Sequence, residues 1–236
     1  MTPNDTSADS SLLIEEFSLL NSQLHNLLYK RVPLVLFNRA VEKSADYAEN
    51  NMPGATIFSG SHKPNMWQCA VSKIKIDGHI AEFGVFQGVS INFLAKLIYP
   101  KKIFGFDSFK GLEEDYVLDH YKGSFDQNGV IPNVDENVCL VKGSFSESLP
   151  KWLNNNEGVF SLINIDCDTY ESTLTVLNEI GPSRIVPGTL VLFDEYFGFH
   201  GWENCEFKAW QEYCKKNNIN YKYIAVCQMQ VLIEVL

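Results

Sequence analysis

The chain has 236 residues, of which 45% are hydrophobic and 20% are charged, and its formal net charge is −10. This composition is typical of a globular α/β domain of ordinary size with a short appendage, and it excludes a disordered chain. The acidic balance argues against nucleic acid and anionic membranes as partners. No apolar run approaches the roughly 20 residues that a membrane helix needs.

The six cysteines form no Cys-x-x-Cys pair, and none lies near a histidine at zinc-ligand spacing. A reduced, cytoplasmic protein is the simplest interpretation of this usage. Residues 1–11 are polar, lack a signal-peptide pattern and are predicted to be a disordered tail.

Residues 12–75 are predicted to form a helical N-terminal extension. Leucines and Phe17 recur at helical spacing up to residue 28, and a second helix is plausible over residues 34–48. The segment Asn51-Met52-Pro53-Gly54 then breaks the chain. Such an extension would cover a site or pair with another subunit, and the sequence does not choose between these uses.

From residue 76 to residue 236, short apolar runs alternate with helical segments. The predicted strands are 79–83, 102–106, 138–141, 161–165 and 190–193, and the predicted helices between them are 90–97, 146–153 and 172–180. This alternation predicts a parallel sheet with helices on both faces. After a helix over about 205–217, strands 221–226 and 229–235 follow each other so closely that they must be antiparallel.

A glycine loop follows the first of these strands. Gly84 allows a sharp turn, and Gly88 lets the backbone come close to a ligand. A dinucleotide fingerprint would read G-x-G-x-x-G, whereas this loop reads G-x-x-x-G with Glu82 two residues before it. Glu82 would repel a pyrophosphate and attract an amine or a sulfonium. The alternative is that the two glycines only make a tight strand-to-helix turn.

Asp107 ends the next predicted strand, 23 residues after Gly84. A carboxylate at this place can accept two hydrogen bonds from ribose hydroxyls. The alternative is a cap on the turn over residues 108–111. Together with the glycine loop, the position favours the ribose role and therefore a cofactor that carries a nucleoside.

Carboxylates end two later strands, with Asp166 after one and Asp194 and Glu195 after the next. The carboxyl ends of parallel strands meet at one edge of a sheet, so these acids are expected to converge. Unpaired, they would repel and raise one another's pKa, and a hard cation such as Mg²⁺ would resolve the repulsion. Asp168 and Glu171 are left out of this ligand set because they are placed to cap the following helix.

Two further residues are candidates on weaker grounds. His200 lies in a loop rich in glycine and aromatic residues, where it could assist proton removal. A lone loop histidine is more often a surface residue. Phe145, just after the third strand, is the aromatic residue best placed to touch an adenine, although such rings more often belong to the core.

Five ordered motifs together resemble the macrocin O-methyltransferase (TylF/MycF-like) family of class I S-adenosylmethionine-dependent methyltransferases. They are AEFGVFQGVS at 81–90, FDSFKGL at 106–112, GSFSESLP at 143–150, IDCDTYEST at 165–173 and PGTLVLFDEY at 187–196. The resemblance implies an α/β, Rossmann-like, seven-stranded and mostly parallel sheet whose last strand is antiparallel. Glu195 is a departure, since the family usually carries a second aspartate there.

The resemblance also implies a role for each matching residue. The S-adenosylmethionine site that it implies consists of Glu82, Gly84, Gly88, Ser90, Asp107, Ser108, Ser144, Phe145 and Asp166. The implied Mg²⁺ ligands are Asp166, Asp194 and Glu195. Asp166, or alternatively His200, is expected to be the catalytic base. The family also suggests a homo-oligomer formed through the N-terminal helices.

We therefore expect an O-methyltransferase that uses S-adenosylmethionine and Mg²⁺ and acts on a hydroxyl of a sugar or a similar small polar acceptor. The metal would bind two neighbouring acceptor oxygens and lower the pKa of one of them. The alternatives are a metal-independent methyltransferase acting on nitrogen or a carboxyl group, a nicotinamide-dependent oxidoreductase, and a non-catalytic module. Glu82 argues against the oxidoreductase, and the acid cluster argues against the module.

Overall fold

The computed structural model describes residues 16–24, 31–60, 63–117 and 120–236 of the chain. The predicted tail over residues 1–11 lies outside the described residues. The chain divides into two compact units, residues 1–39 and residues 40–236. Helix α1 (residues 16–24) belongs to the first unit, and helix α2 (Arg31–Asn51) runs from the first unit into the second.

One sheet of eight strands organises the second unit. Its strands are β1 (Thr56–Phe58), β2 (His79–Phe83), β3 (Ile103–Asp107), β4 (Val138–Lys142), β5 (Phe160–Ile165), β6 (Leu190–Phe193), β7 (Tyr221–Cys227) and β8 (Gln230–Val235). Its helices after α2 are α3 (Lys63–Ser72), α4 (Val89–Ile98), α5 (Phe145–Asn155), α6 (Tyr170–Ile180) and α7 (Glu206–Asn217). The order across the sheet is β1-β7-β8-β6-β5-β2-β3-β4.

Strand β8 is the one antiparallel strand of this described sheet. It pairs antiparallel with both β6 and β7, whereas all other neighbouring pairs are parallel. The prediction of a Rossmann-like, mostly parallel sheet with an antiparallel last strand is confirmed. The predicted strands and helices after residue 76 differ from the observed ones by at most two residues at an end.

The sheet has one strand more than the predicted seven. Strand β1 lies in the extension that was predicted to be helical, and it pairs parallel with β7, with Thr56 opposite Ala225. Three residues are too few to show a strand periodicity, so the sequence carried no usable signal for it. Among the described residues, no helix combines the length and the hydropathy that crossing a membrane requires.

The core consists of two hydrophobic clusters divided by the sheet. Ile163 packs in a cluster with residues of α5, α6 and α7, whereas its neighbour Leu162 packs in a cluster with residues of α3 and α4. Successive side chains of a strand point to opposite faces, so both faces of β5 are covered. Every residue of β5 and of β6 is buried, as their continuous apolar sequences predict.

The strand order reverses its direction at β2, which lies between β5 and β3. Ligands of open α/β sheets bind beyond the carboxyl ends of the strands at such a switch point. Gly84, just after β2, has φ +93°, and a Cβ there would lie 1.7 Å from the carbonyl oxygen of Asp166. Only glycine permits this approach, which brings the end of β2 against the end of β5.

Candidate active site

A cavity of about 630 Å³ opens at the carboxyl ends of β2, β3, β5 and β6. The predicted site residues that line it are Gly84, Ser90, Asp107, Ser108, Ser144, Phe145, Asp166, Asp194 and Glu195. The segments that follow these four strands, together with the segment that follows β4, are distant in sequence and form one site. Three predicted residues, Glu82, Gly88 and His200, are not part of the lining.

Asp107 ties the glycine loop to the end of β3. Its Oδ2 accepts hydrogen bonds from the backbone amides of Val85 and Phe86, both at 2.8 Å. Its Oδ1 accepts one from the amide of Phe109 at 2.6 Å. The capping alternative is therefore realised, but an ionised carboxylate has about four acceptor positions and keeps capacity for a ribose hydroxyl.

Glu82 lies beneath the cavity and is fully buried. Its Oε1 accepts a hydrogen bond from the Ser90 hydroxyl, and its Oε2 accepts one from the Asn164 amide, each at 2.9 Å. Burial, partly offset by these two bonds, raises the pKa of Glu82 to about 8. Glu82 therefore reaches the cavity through Ser90, the neighbour that does line it. Gly88 also lies outside the lining, and it forms the N-cap of α4 with φ +79°.

Three carboxylates meet in the turns that follow β5 and β6. Asp166, Asp168 and Glu195 each offer an oxygen within 4.8 Å of the others, and the Oε2 of Glu195 is buried without a hydrogen-bond partner among the described residues. Burial, with repulsion from Asp194 next, holds the pKa of Asp166 and of Glu195 well above their usual ranges. Burial also raises the pKa of Asp168 to about 6.

Asp168 joins this group because another residue caps the helix. The N-cap of α6 is Thr169, whose hydroxyl oxygen accepts the amide hydrogen of Ser172 at 3.2 Å. Asp168 itself has φ +64° in the turn before the helix, and its side chain faces the cavity. The alternative that Asp168 caps the helix is not realised, because the adjacent Thr169 supplies the cap.

Asp194 has a different environment from its neighbour Glu195. Its Oδ2 forms an ion pair with the ammonium of Lys63, and its Oδ1 accepts a hydrogen bond from the Gln230 amide at 2.5 Å. Both oxygens are thus engaged by this chain's own residues. The expected set of Asp166, Asp194 and Glu195 is therefore brought together only in part, with Asp168 beside the other two.

His200 lies on an exposed turn after β6. Its absence from the lining leaves no observed contact through which it could take a proton from a molecule in the cavity. The loop around it contributes packing instead, since Phe197 and Phe199 are buried in the core. The aromatic residues of this loop therefore serve the hydrophobic core and do not indicate a catalytic role for His200.

Three residues of the site region had no motif to indicate them. Lys63 is the first residue of α3, and Glu206 is the first residue of α7. Glu206 is fully buried, and its Oε2 accepts the amide hydrogen of Glu195 at 3.1 Å. The hydroxyl of Tyr116 is buried without a hydrogen-bond partner among the described residues, and burial followed by the charge of Glu195 raises its pKa. Only the folded chain brings Lys63 into the cavity lining, and Glu206 and Tyr116 close to Glu195.

The switch-point cavity, its glycine loop and its acidic strand ends define the class of protein, an S-adenosylmethionine-dependent methyltransferase. Residues 39–233 match the family model of macrocin-O-methyltransferase (TylF), so the chain belongs to that family of O-methyltransferases. This result excludes the nicotinamide-dependent oxidoreductase and the non-catalytic module as the class of the protein.

Individual relatives agree with the family. An 8-demethyl-8-(2,3-dimethoxy-alpha-L-rhamnosyl)-tetracenomycin-C 4'-O-methyltransferase of Streptomyces olivaceus is 25% identical over 207 residues, covering 75% of this chain and 78% of the relative. The fold is similar to that of the calicheamicin methyltransferase CalS11, with TM-score 0.59 and 23% identity over 72% of this chain and 77% of that chain. The O-methyltransferase NovP gives TM-score 0.55 and 20% identity over 73% and 78%.

The raised pKa of Glu82 predicts how stability depends on pH. The pKa of Glu82 in the folded protein, about 8, lies above its ordinary value of 4.5. Protonated Glu82 therefore stabilises the folded state, and this stabilisation is lost as the pH rises from about 4.5 to about 8. Between about pH 5.5 and pH 8, the free energy of unfolding should fall less in the Glu82→Gln variant than in the wild type. The difference between the two decreases should be up to about 3 kcal/mol. Urea unfolding at both pH values measures the difference.

The exposed Glu179 on α6 provides the control for this measurement. The Glu179→Gln variant removes the same group without the burial, and it should keep the wild-type pH dependence. If the Glu82→Gln variant also keeps it, Glu82 does not bind its proton in the folded protein.

Proposed function

We propose that this chain methylates a hydroxyl of an uncharged sugar-like acceptor, with a divalent cation held by Asp166, Asp168 and Glu195. The observation that carries this proposal is the meeting of three carboxylates in the same cavity as the cofactor residues. The relative from Streptomyces olivaceus is named for methylation of a rhamnosyl group. Family membership favours an oxygen acceptor over nitrogen or a carboxyl group.

The cofactor residues keep the roles expected from the resemblance, as proposals. Gly84 and Ser90 would border the methionine part of S-adenosylmethionine, and Asp107 and Ser108 would border its ribose. Ser144 and Phe145 would flank the adenine. S-adenosylmethionine supplies a methyl group on a sulfonium, which is already a strong electrophile. The chain's own residues therefore need to position the acceptor and to remove its proton.

The three carboxylates of Asp166, Asp168 and Glu195 have the donor atoms that a hard cation prefers. All of their ligand atoms are oxygens, which Mg²⁺ prefers, and the unpartnered Oε2 of Glu195 offers an acceptor with no competing donor among the described residues. We place Asp168 in the set instead of Asp194, because Lys63 and Gln230 already engage both Asp194 oxygens. Bound Mg²⁺ would lower the pKa of the acceptor hydroxyl.

Asp166 is the proposed base. It connects the glycine loop to the other two carboxylates, those of Asp168 and Glu195, because the end of β5 approaches Gly84. The hydroxyl proton would pass to Asp166 as the oxygen bonds to the methyl carbon and the carbon–sulfur bond breaks. His200, the alternative base, has no comparable position.

The charge of the cavity supports an uncharged acceptor. Its acidic lining residues are Asp107, Glu113, Glu114, Asp166, Asp168, Glu171, Asp194 and Glu195. Among the described lining residues, Lys63 is the one lysine or arginine, and it already pairs with Asp194. A cleft lined by one sign of charge repels ligands of that sign. This argues against TDP-rhamnose, the substrate named for CalS11, and for a sugar without phosphate.

The N-terminal segment is proposed to have two uses. Residues 12–75 would form an extension of a cofactor-binding domain over residues 76–236, and the extension contributes Lys63 and Trp67 to the cavity lining. Helices α1 and α2 would form a homo-oligomer. Their exposed large apolar residues are Phe17, Leu19, Leu20, Leu24, Val32, Leu34, Val35, Phe37 and Val41. So many exposed apolar side chains are typical of an interaction surface.

A cytoplasmic location remains part of the proposal. All six cysteines lie in the described part of the chain, and none forms a disulfide. Proteins of oxidising compartments more often use their cysteines in disulfides.

Removing divalent cations should abolish methyl transfer to hydroxyl acceptors. Activity in excess EDTA should fall at least about 100-fold and return with added Mg²⁺. The Asp166→Asn and Asp168→Asn variants should each lower kcat by about 100-fold or more, whereas Asp77→Asn, at an exposed position, should not. Labelled methyl transfer measures all of these. Full activity in EDTA would rule out the metal.

The acceptor charge can be tested with one sugar in two forms. Methyl α-L-rhamnoside should give a kcat/KM at least about tenfold above that of TDP-rhamnose at low salt. Added salt should narrow the gap. The Glu113→Lys, Glu114→Lys double variant should raise the activity on TDP-rhamnose relative to that on methyl α-L-rhamnoside. The control double variant Glu157→Lys, Glu179→Lys, whose changes lie outside the cavity lining, should not. A wild-type preference for TDP-rhamnose contradicts the uncharged acceptor but not methyl transfer.

Association through the N-terminal helices predicts a change in mass. Sedimentation should show an oligomer for the full chain, and the Leu20→Glu, Phe37→Glu double variant should shift it toward monomer because charge disfavours an apolar contact. The Val130→Glu variant, at an exposed apolar residue outside these helices, should remain oligomeric. A monomeric wild-type chain at micromolar concentration is the contrary result.

A further inference from the structure

Helix α3 presents two side chains to the cavity. Lys63 and Trp67 are its first and fifth residues, and they are the only residues of α3 among the described lining residues. Residues four positions apart lie on the same face of a helix. Each of these side chains donates hydrogen bonds and accepts none. Together they favour a ligand group that accepts hydrogen bonds, and the proposed reaction assigns them no such group.

The indole N–H of Trp67 is an unsatisfied donor. Trp67 is 6% exposed, and its Nε1 is buried without a hydrogen-bond partner among the described residues. Trp202 and Trp210 also have an unpartnered Nε1, but neither of them lines the cavity. Leaving a buried donor unpaired is costly. At Trp67, unlike at the other two, a ligand in the cavity can remove that cost.

The ammonium of Lys63 has unused donor capacity as well. It carries three hydrogens, and the one acceptor that engages it among the described residues is Oδ2 of Asp194. The Lys63 side chain is partly exposed, so its remaining hydrogens are accessible to a ligand. Lys63 is also the one lysine or arginine among the described lining residues, which include eight acids. An anionic group of a ligand would therefore meet its full positive counter-charge at Lys63.

The first turn of α4 adds donors beside Trp67. The rings of Trp67 and Phe93 are in contact, with centroids 5.2 Å apart, and Phe93 lies about one turn after Ser90, which lines the cavity. The N-cap of α4 is Gly88, so no side chain caps this turn. The amide groups at the start of the helix are therefore available to an anion. Two helices thus bring donors to one part of the cavity.

We propose that Lys63 and Trp67 bind the carboxylate of the methionine part of S-adenosylmethionine, and that they make the chain selective for cofactors that carry this group. The inference rests on the cofactor site of the proposed function, in which Gly84 and Ser90 border the methionine part. An acidic cavity attracts the sulfonium and the ammonium of S-adenosylmethionine but repels its carboxylate. The Lys63 ammonium, between Asp194 and the cofactor carboxylate, offsets that repulsion with a charge-assisted hydrogen bond.

Two ligands that differ by one group test the inference on the unmodified chain. S-adenosylhomocysteine carries the carboxylate, and decarboxylated S-adenosylhomocysteine lacks only that group. Calorimetry should show that S-adenosylhomocysteine binds at least about tenfold more tightly, because hydrogen bonds to a charged group are lost with the carboxylate. The comparison is demanding, since the acidic lining attracts the net positive charge of the decarboxylated compound. Equal affinities overturn the inference, whereas a chain that binds neither compound overturns the cofactor site itself.

Two variants each remove one donor. Lys63→Met removes the ammonium, and Trp67→Phe removes the indole N–H but keeps an aromatic ring beside Phe93. Each should weaken the binding of S-adenosylhomocysteine by about 5- to 50-fold, and neither should weaken the binding of the decarboxylated compound. Retained binding of the decarboxylated compound also shows that the variant is folded. Wild-type affinity for S-adenosylhomocysteine in either variant overturns the inference, and so does an equal loss for both compounds in a folded variant.

The chain offers matched controls for both variants. Trp210→Phe removes an unpartnered indole N–H outside the cavity lining, and Lys96→Met removes an exposed ammonium from α4. Both should bind S-adenosylhomocysteine within about twofold of the wild type. The Lys63→Met, Asp194→Asn double variant removes the charge that Lys63 would leave unpaired, and it should bind as weakly as Lys63→Met. Recovery of wild-type affinity would show that unpaired Asp194 repels the carboxylate, and would overturn direct binding by Lys63.

Discussion

The concentration of carboxyl groups at one end of the sheet is the constraint on which the site depends. Glu82, Asp194, Glu195 and Glu206 are buried there, and Asp166 and Asp168 border the cavity beside them. Like charges in a region of low dielectric raise one another's pKa and oppose folding unless each finds a partner. The arrangement of the surrounding elements is best understood as the supply of those partners.

Each acid finds a different partner. Glu82 accepts hydrogen bonds from Ser90 and Asn164, Asp194 is engaged by Lys63 and Gln230, and Glu206 accepts the backbone amide hydrogen of Glu195. The three that remain, Asp166, Asp168 and Glu195, face one another across a few ångströms. The chain's own donors thus neutralise the acids that support the site, and a cation is proposed for those that border the cavity.

The approach of Gly84 to Asp166 connects this cluster to the cofactor side. A single added carbon at residue 84 would collide with the backbone after β5, so the glycine loop and the first acidic turn form one rigid junction. Asp107 extends the junction to β3 by binding the amides of Val85 and Phe86. In the proposed reaction, a methyl donor along the loop and an acceptor beside the acids would be held at a fixed separation, which methyl transfer requires.

Much of the fold was predictable because strands such as β5 and β6 are continuous apolar runs, and their burial on both faces leaves that mark in the sequence. Strand β1 was not, since its three residues gain their pairing from β7, about 170 positions later. The acids at the strand ends were found from their place after apolar runs. The proposed exchange of Asp168 for Asp194 depends on which residue caps α6 and which one pairs with Lys63, and neither contact is visible in the sequence.

The sequence by itself determined the class of sheet, the glycine loop and the acids that end its strands, because periodicity and turn chemistry are local properties of the chain. The tertiary structure alone decided which acids meet, which one Lys63 engages, and that Glu206 binds the backbone amide of Glu195. Those are contacts between elements, and their physical cause is the closeness that packing imposes on residues far apart in sequence.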